Sequence, residues 1–109
     1  MLRVDDRGVG GSGGDYAGAT YEEMAADVLA GVAHRGSLPE IDRSRSGVFG
    51  HSEGGHLAPL VAQRSGGAVA FVVLMAGPAV AGEEVLVRQT ELQLQQRGAA
   101  RADIDEQVA

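Results

Sequence analysis

Apolar residues recur at helical spacing directly after Thr20, and this periodicity predicts an amphipathic helix that ends at Gly36. The segment opens with a capping-box pattern, in which Thr20 is the N-cap and Glu23 occupies the third helical position. The apolar positions of the helix are Tyr21, Met24, Ala25, Val28, Leu29 and Val32. We therefore expect one face of this helix to pack against a core.

Three apolar segments are typical of β-strands. Met1–Asp5 has the character of the end of a strand, and Ser46–Phe49 is a short strand that ends at Gly50. Ala68–Met75 is apolar on both faces, which suits a parallel strand covered by helices on both sides. Helices are predicted in three further places, over 54–65, over 83–97 and from about residue 102. This alternation predicts βαβ units, and hence an α/β fold with three parallel strands.

Composition and charge exclude several classes of function. The chain has 109 residues, enough for one small domain, and its formal net charge of −6 argues against a nucleic-acid partner. It contains no Cys, which excludes disulfides and thiolate chemistry. The longest apolar run, Ala68 to Gly77, is too short to cross a bilayer, and no secretory signal is present. We expect no membrane partner and a cytoplasmic location, unless the true N-terminus lies upstream; the oligomeric state stays open.

The candidate chemistry lies in Gly50-His51-Ser52-Glu53-Gly54, which fits G-x-S-x-G between a predicted strand and a predicted helix. In such an elbow the serine stands on a strained turn, and the flanking glycines let the two backbones pass closely. The N–H of Glu53 then points to where a tetrahedral oxyanion would form, and the helix dipole favours negative charge there. The pattern predicts that Ser52 is a catalytic nucleophile, against the alternative of a glycine-rich turn that contains Ser by chance.

The chain also resembles a bacterial group of α/β-hydrolases that includes serine aminopeptidase-like, dienelactone-hydrolase-like and feruloyl-esterase-like proteins. The resemblance rests on Asp5–Ser12, Gly50–Gly55, Ala58-Pro59 and Ala76–Pro78, and it covers nearly the whole chain. One departure is Gly11, where the family often carries Lys, and we expect it to alter a surface loop only.

The resemblance implies a partial α/β-hydrolase fold. Residues 1–82 would form the central part of the core with the nucleophile elbow, and 83–109 would begin a helical cap over the active site. It implies that Ser52 is the nucleophile and that the Glu53 N–H is one oxyanion donor. The expected activity is hydrolysis of small-molecule carboxylic esters, or of amides or peptides, through an acyl-serine, without metal or organic cofactor.

The rest of the catalytic machinery is not evident in the sequence. A serine nucleophile needs a His base and an orienting carboxylate, which follow the serine in α/β-hydrolases. His34 lies near the end of a packing helix and His51 leaves the elbow in another direction, so His56 is the one histidine that could approach the pocket. Acidic residues do follow the elbow, but we expect a solvated helix face from them: Asp103, Asp105 and Glu106. We expect the second oxyanion loop to precede Met1, and the chain by itself to be an incomplete, inactive piece of an enzyme.

Two other interpretations remain open. Gly8–Gly13 satisfies G-x-G-x-x-G after a strand and could belong to a nucleotide-binding module. In dinucleotide-binding folds, however, a helix begins at the third glycine, whereas here the predicted cap Thr20 lies well beyond it. A helix beginning near residue 12 would favour nucleotide binding. The other alternative is a non-catalytic remnant or interaction fragment.

Overall fold

The computed structural model describes residues 1–108, with four α-helices and two β-strands among them. The elements in chain order are α1 (Tyr21–Gly36), β1 (Gly47–His51), α2 (Gly54–Arg64), β2 (Phe71–Met75), α3 (Gly82–Gln96) and α4 (Arg101–Val108), with a 3₁₀ turn at Arg43–Arg45 before β1. They fall into two compact units that divide between Gly77 and Pro78. The assignment of these units to a hydrolase core and a cap stays a prediction.

Helix α1 begins where the capping box predicts. The Glu23 N–H donates to Thr20 Oγ1 at 3.2 Å, and the Thr20 N–H donates to Glu23 Oε2 at 2.8 Å. These two bonds satisfy backbone donors that have no partner inside a helix. The predicted cap and the predicted end at Gly36 are both confirmed.

The sheet contains β1 and β2, which pair in parallel with Phe49 opposite Val73 and His51 opposite Met75. The parallel pairing expected for these two segments is confirmed, although β2 is shorter than the predicted 68–75. Helix α2 packs on both strands and on α1. Its Ala58 and Val61 are buried, so the core of this unit lies between α2 and the elements around it.

The predicted first strand is wrong. Residues 1–5 form no strand, and the sheet has two strands rather than three within residues 1–108. The side chains of Leu2 and Val4 lie instead beside α1, within 4 Å of the space where a Cβ on Gly31 would stand. The apolar residues of the segment therefore find a helix to contact, but its backbone has no neighbouring strand with which to form a ladder.

One face of the sheet is uncovered. Phe49, Phe71, Val73 and Met75 share that face, and their exposed fractions are 58, 53, 45 and 51%. The Phe71 ring lies over Gly47, where an added Cβ would come within 2.5 Å of it. Helices were expected on both sides of β2, so the cover is less complete than the sequence predicts. In residues 1–108, no helix combines the length and the apolar character needed to span a bilayer.

Candidate active site

Ser52 lies in the turn between β1 and α2, immediately beyond the last residue of the strand. Its φ is 53°, in the left-handed region that residues with a side chain rarely adopt. The Ser52 N–H donates to the Met75 carbonyl at 3.1 Å, and the Ser52 carbonyl accepts from the Gly55 N–H at 2.8 Å. The sheet and the helix thus hold the strained residue from both sides, while its side chain remains exposed.

The close approach of strand and helix depends on Gly50. A Cβ at this position would stand 2.1 Å from the Gly54 carbonyl oxygen and 3.0 Å from the Ala58 Cβ. At Gly54, by contrast, an added Cβ would meet nothing within 4 Å. Of the two glycines of G-x-S-x-G, only the first is therefore required by the space around its own Cα.

The backbone N–H of Glu53 is unoccupied. Among residues 1–108 it donates no hydrogen bond, whereas the N–H groups of Gly55 and His56 turn back to the carbonyls of Ser52 and Glu53. Glu53 is the N-cap of α2, so its N–H lies at the positive end of the helix dipole. A free donor beside an exposed serine hydroxyl is the arrangement that stabilises an oxyanion formed on the serine's target.

The side chain of Glu53 has a different partner. Its carboxylate accepts a short hydrogen bond from the Tyr16 hydroxyl. That bond, more than partial burial or the nearby charges, raises the pKa of Tyr16 to about 12. Burial first, and then the same Glu53 carboxylate, also raises the pKa of Tyr21. The carboxylate beside Ser52 is therefore hydrogen bonded to the glycine-rich segment at 6–18, here called the glycine loop.

The glycine loop is fixed on α1 at its other end. Arg7 donates to both carboxylate oxygens of Asp27, at 2.8 and 3.0 Å. The hydrogen bond from Arg7 holds the pKa of Asp27 below its usual range. Within the loop the Gly8 N–H donates to the Gly13 carbonyl at 3.0 Å, and the Gly11 N–H donates at 3.0 Å to the carboxylate of Asp5, the residue that precedes the loop. The loop is thus a closed turn with its own hydrogen bonds.

These bonds bear on nucleotide binding. A phosphate-binding loop needs free N–H groups at a helix N-terminus, and α1 begins only at Tyr21. The helix near residue 12 that would have favoured a nucleotide site is not present, and much of the loop's backbone is already bonded internally.

None of the three histidines is hydrogen bonded to the Ser52 hydroxyl within residues 1–108. His34 lies in the last turn of α1, and His51 is an exposed residue of β1. The His56 Nε2 is buried without a hydrogen-bond partner, and the ring lies 6.3 Å from that of Tyr21. The acidic side chains Asp103, Asp105 and Glu106 are exposed on α4, as predicted for a solvated face.

Tyr16 is the site residue that sequence analysis missed. The available signal was a single aromatic residue in a loop of Gly, Asp and Ser, a composition that rarely calls for one. No group of three or more metal-binding side chains occurs in residues 1–108. A groove of about 450 Å³ lies at the other end of α2, beside Arg64 and Ser65, and does not include Ser52.

Comparison of the chain with protein-family models, with curated proteins and with solved structures found no match.

Proposed function

We propose that this chain carries the nucleophile elbow of a serine hydrolase of the α/β-hydrolase type, with Ser52 as the nucleophile. The observation that carries the proposal is the combination at one turn of a left-handed, exposed Ser52 with the unoccupied Glu53 N–H. Strained backbone persists where surrounding structure enforces it, and it concentrates at active sites. The resemblance described above supports the same assignment.

In the proposed reaction the Ser52 Oγ attacks the carbonyl carbon of an ester, or of an amide or peptide, and its proton passes to a base. The tetrahedral oxyanion accepts a hydrogen bond from the Glu53 N–H. The bond to the leaving group then breaks, and the leaving group departs with the proton. Water attacks the acyl-serine in the second half-reaction, which releases the acid and restores the hydroxyl.

The proposal assigns the base and its orienting acid to parts of the enzyme outside these residues. Within residues 1–108 no histidine bonds the Ser52 hydroxyl, and the Glu53 carboxylate beside it accepts from Tyr16. The chain alone is therefore expected to contain one activating feature, the oxyanion donor, and to lack the base.

The test supplies the missing base from solution. The purified chain is treated with a fluorophosphonate with and without imidazole, and phosphonylation is mapped to each serine by mass spectrometry. The Ser52 Oγ would displace fluoride from phosphorus and imidazole would accept the proton. The chain contains no Lys, so phosphonylation of an amine is confined to its N-terminus.

With imidazole, Ser52 should be labelled about 10²-fold faster than Ser12 or Ser65, because one oxyanion donor contributes about that factor. Without imidazole, we expect no selective labelling. Equal rates at the three serines would overturn the proposal. Strong labelling of Ser52 without imidazole would show that a base is already present, and His56→Ala would test the nearest candidate.

A further inference from the structure

One side-chain hydrogen bond connects the glycine loop to the elbow. The Tyr16 hydroxyl and the Glu53 carboxylate that it joins are 37 positions apart in the chain. Both residues are exposed, so the bond is not the result of burying an aromatic side chain in a core. Its placement, on the residue directly after Ser52, needs a separate explanation.

Hydrogen bonds within the loop fix the backbone around Tyr16. The Asp15 carboxylate accepts from the Ala17 N–H at 3.0 Å, which forms a local turn around Tyr16. The Ala19 N–H donates to the Tyr16 carbonyl at 3.1 Å. Arg7 also ties the start of the loop to α1. The backbone position of Tyr16 is therefore fixed by bonds other than the one to Glu53.

We infer that Tyr16 is a positioning residue, whose hydroxyl holds the Glu53 carboxylate and thereby fixes the Glu53 peptide N–H beside Ser52. That N–H has no acceptor among residues 1–108, and Glu53, the N-cap that carries it, makes no side-chain cap bond to the first turn of α2. The Glu53 carboxylate thus has its hydrogen-bond partner in Tyr16 and not in the first turn of α2. The role of the N–H in oxyanion binding rests on the proposed function, whereas the fixing of the peptide does not.

The bond itself is tested by ultraviolet titration of tyrosine. The chain has two tyrosines, so the Tyr21→Phe variant reports Tyr16 alone. The groups acting on Tyr16 are Glu53, Asp6 and Tyr21, with Glu53 the strongest. In Tyr21→Phe, the pKa of Tyr16 should stay raised, because the hydrogen bond to Glu53 is its largest cause and remains. Adding Glu53→Gln should move it toward the ordinary tyrosine pKa of about 10.

The comparison is made between pH 10 and pH 11, where circular dichroism verifies that both variants remain folded. Tyr16 should be largely protonated with Glu53 present and substantially ionised with Glu53→Gln. Equal ionisation in the two variants would overturn the inference, whatever Ser52 proves to do.

The positioning role is tested by the imidazole-assisted labelling of Ser52. Tyr16→Phe should slow labelling at Ser52 about tenfold and leave Ser65, at the end of α2, unchanged. Tyr21→Phe is the matched control, because it removes a neighbouring hydroxyl and keeps the Tyr16 bond. A Tyr16→Phe variant with unchanged labelling at Ser52 would overturn the inference even if the titration shows the bond.

A third measurement separates this inference from the proposed function. The backbone amide resonance of Glu53 should shift in Tyr16→Phe, while that of Ser65 should not. If Ser52 is not labelled selectively in the parent chain, the proposed function fails, and the Glu53 resonance then decides the inference alone. If the Glu53 amide resonance does not shift in Tyr16→Phe, the inference is overturned. If it shifts, Tyr16 fixes the Glu53 peptide although the chain has no catalytic role.

Discussion

The two strands of the sheet end in the same unusual backbone conformation, but only one of the ends resembles an active site. Ser52 follows β1 with a φ of 53°, and Ala76 follows β2 with a φ of 50°. After Ser52, a helix begins at Gly54, whereas after Ala76 the next helix begins at Gly82. A left-handed residue at the carboxyl end of a strand is thus common to both. The adjoining helix start, with its free N–H and tight glycine contact, distinguishes the first.

The largest effect expected from this comparison concerns the proposed catalysis, measured in a full-length version of the proposed hydrolase. Ser52→Ala should lower ester turnover about 10⁶-fold, because the members of a catalytic triad act as a unit. Adding Ala76→Ser should not restore it, since no helix begins directly after that position in the chain. The measurement is kcat for an activated ester. Most of the activity surviving Ser52→Ala would contradict the assignment, and restoration by Ala76→Ser would remove the distinction between the two strand ends.

The next effect concerns the glycines of the elbow. Gly50→Ala should destabilise the chain by about 3 kcal/mol, since its Cβ would overlap the Gly54 carbonyl and force strand and helix apart. Gly54→Ala is the matched control. It should be neutral or stabilise the chain by up to about 1 kcal/mol, because Ala favours helix and the space is open. Urea unfolding measures the free energy of unfolding of both variants. Equal decreases would show that the close contact at Gly50 is not what restricts this position to glycine.

The smallest effect concerns the strain that both strand ends share. A left-handed residue with a side chain costs about 1–2 kcal/mol of stability, which replacement by Gly removes. The same replacement costs about 0.5–1 kcal/mol, because Gly loses more chain entropy on folding. Ser52→Gly and Ala76→Gly should each raise the free energy of unfolding by about 0.5–1 kcal/mol. If only Ala76→Gly stabilises, contacts of the Ser52 side chain already offset the strain at the elbow.

Local features of the fold could be predicted from the sequence. The capping box at Thr20, the parallel pairing of β1 with β2 and the position of Ser52 in a strand-to-helix turn follow from nearby residues and their periodicity. The predicted strand at 1–5 failed for a non-local reason. A segment can have the composition of a strand and still form none, because a ladder requires a neighbour that the segment itself does not specify.

The candidate site shows the same division. The elbow could be predicted because G-x-S-x-G describes five consecutive residues, and the steric requirement of the turn acts between residues of that same segment. The Tyr16–Glu53 bond could not, because it joins a loop to a helix start across 37 positions. Neither residue type indicates the other, and only the folded path of the glycine loop brings them together.

The apolar face formed by Phe49, Phe71, Val73 and Met75 is a surface on which two copies of this chain can meet, and protein concentration is then a variable in every measurement. Self-association through that face would remove apolar area from water, and mass action would increase it with concentration. Thermal midpoints would then fall as the protein is diluted, whereas the rate constant for labelling Ser52 within a single chain would not change. A dilution series therefore distinguishes properties of the single chain, such as Ser52 labelling, from properties that depend on association.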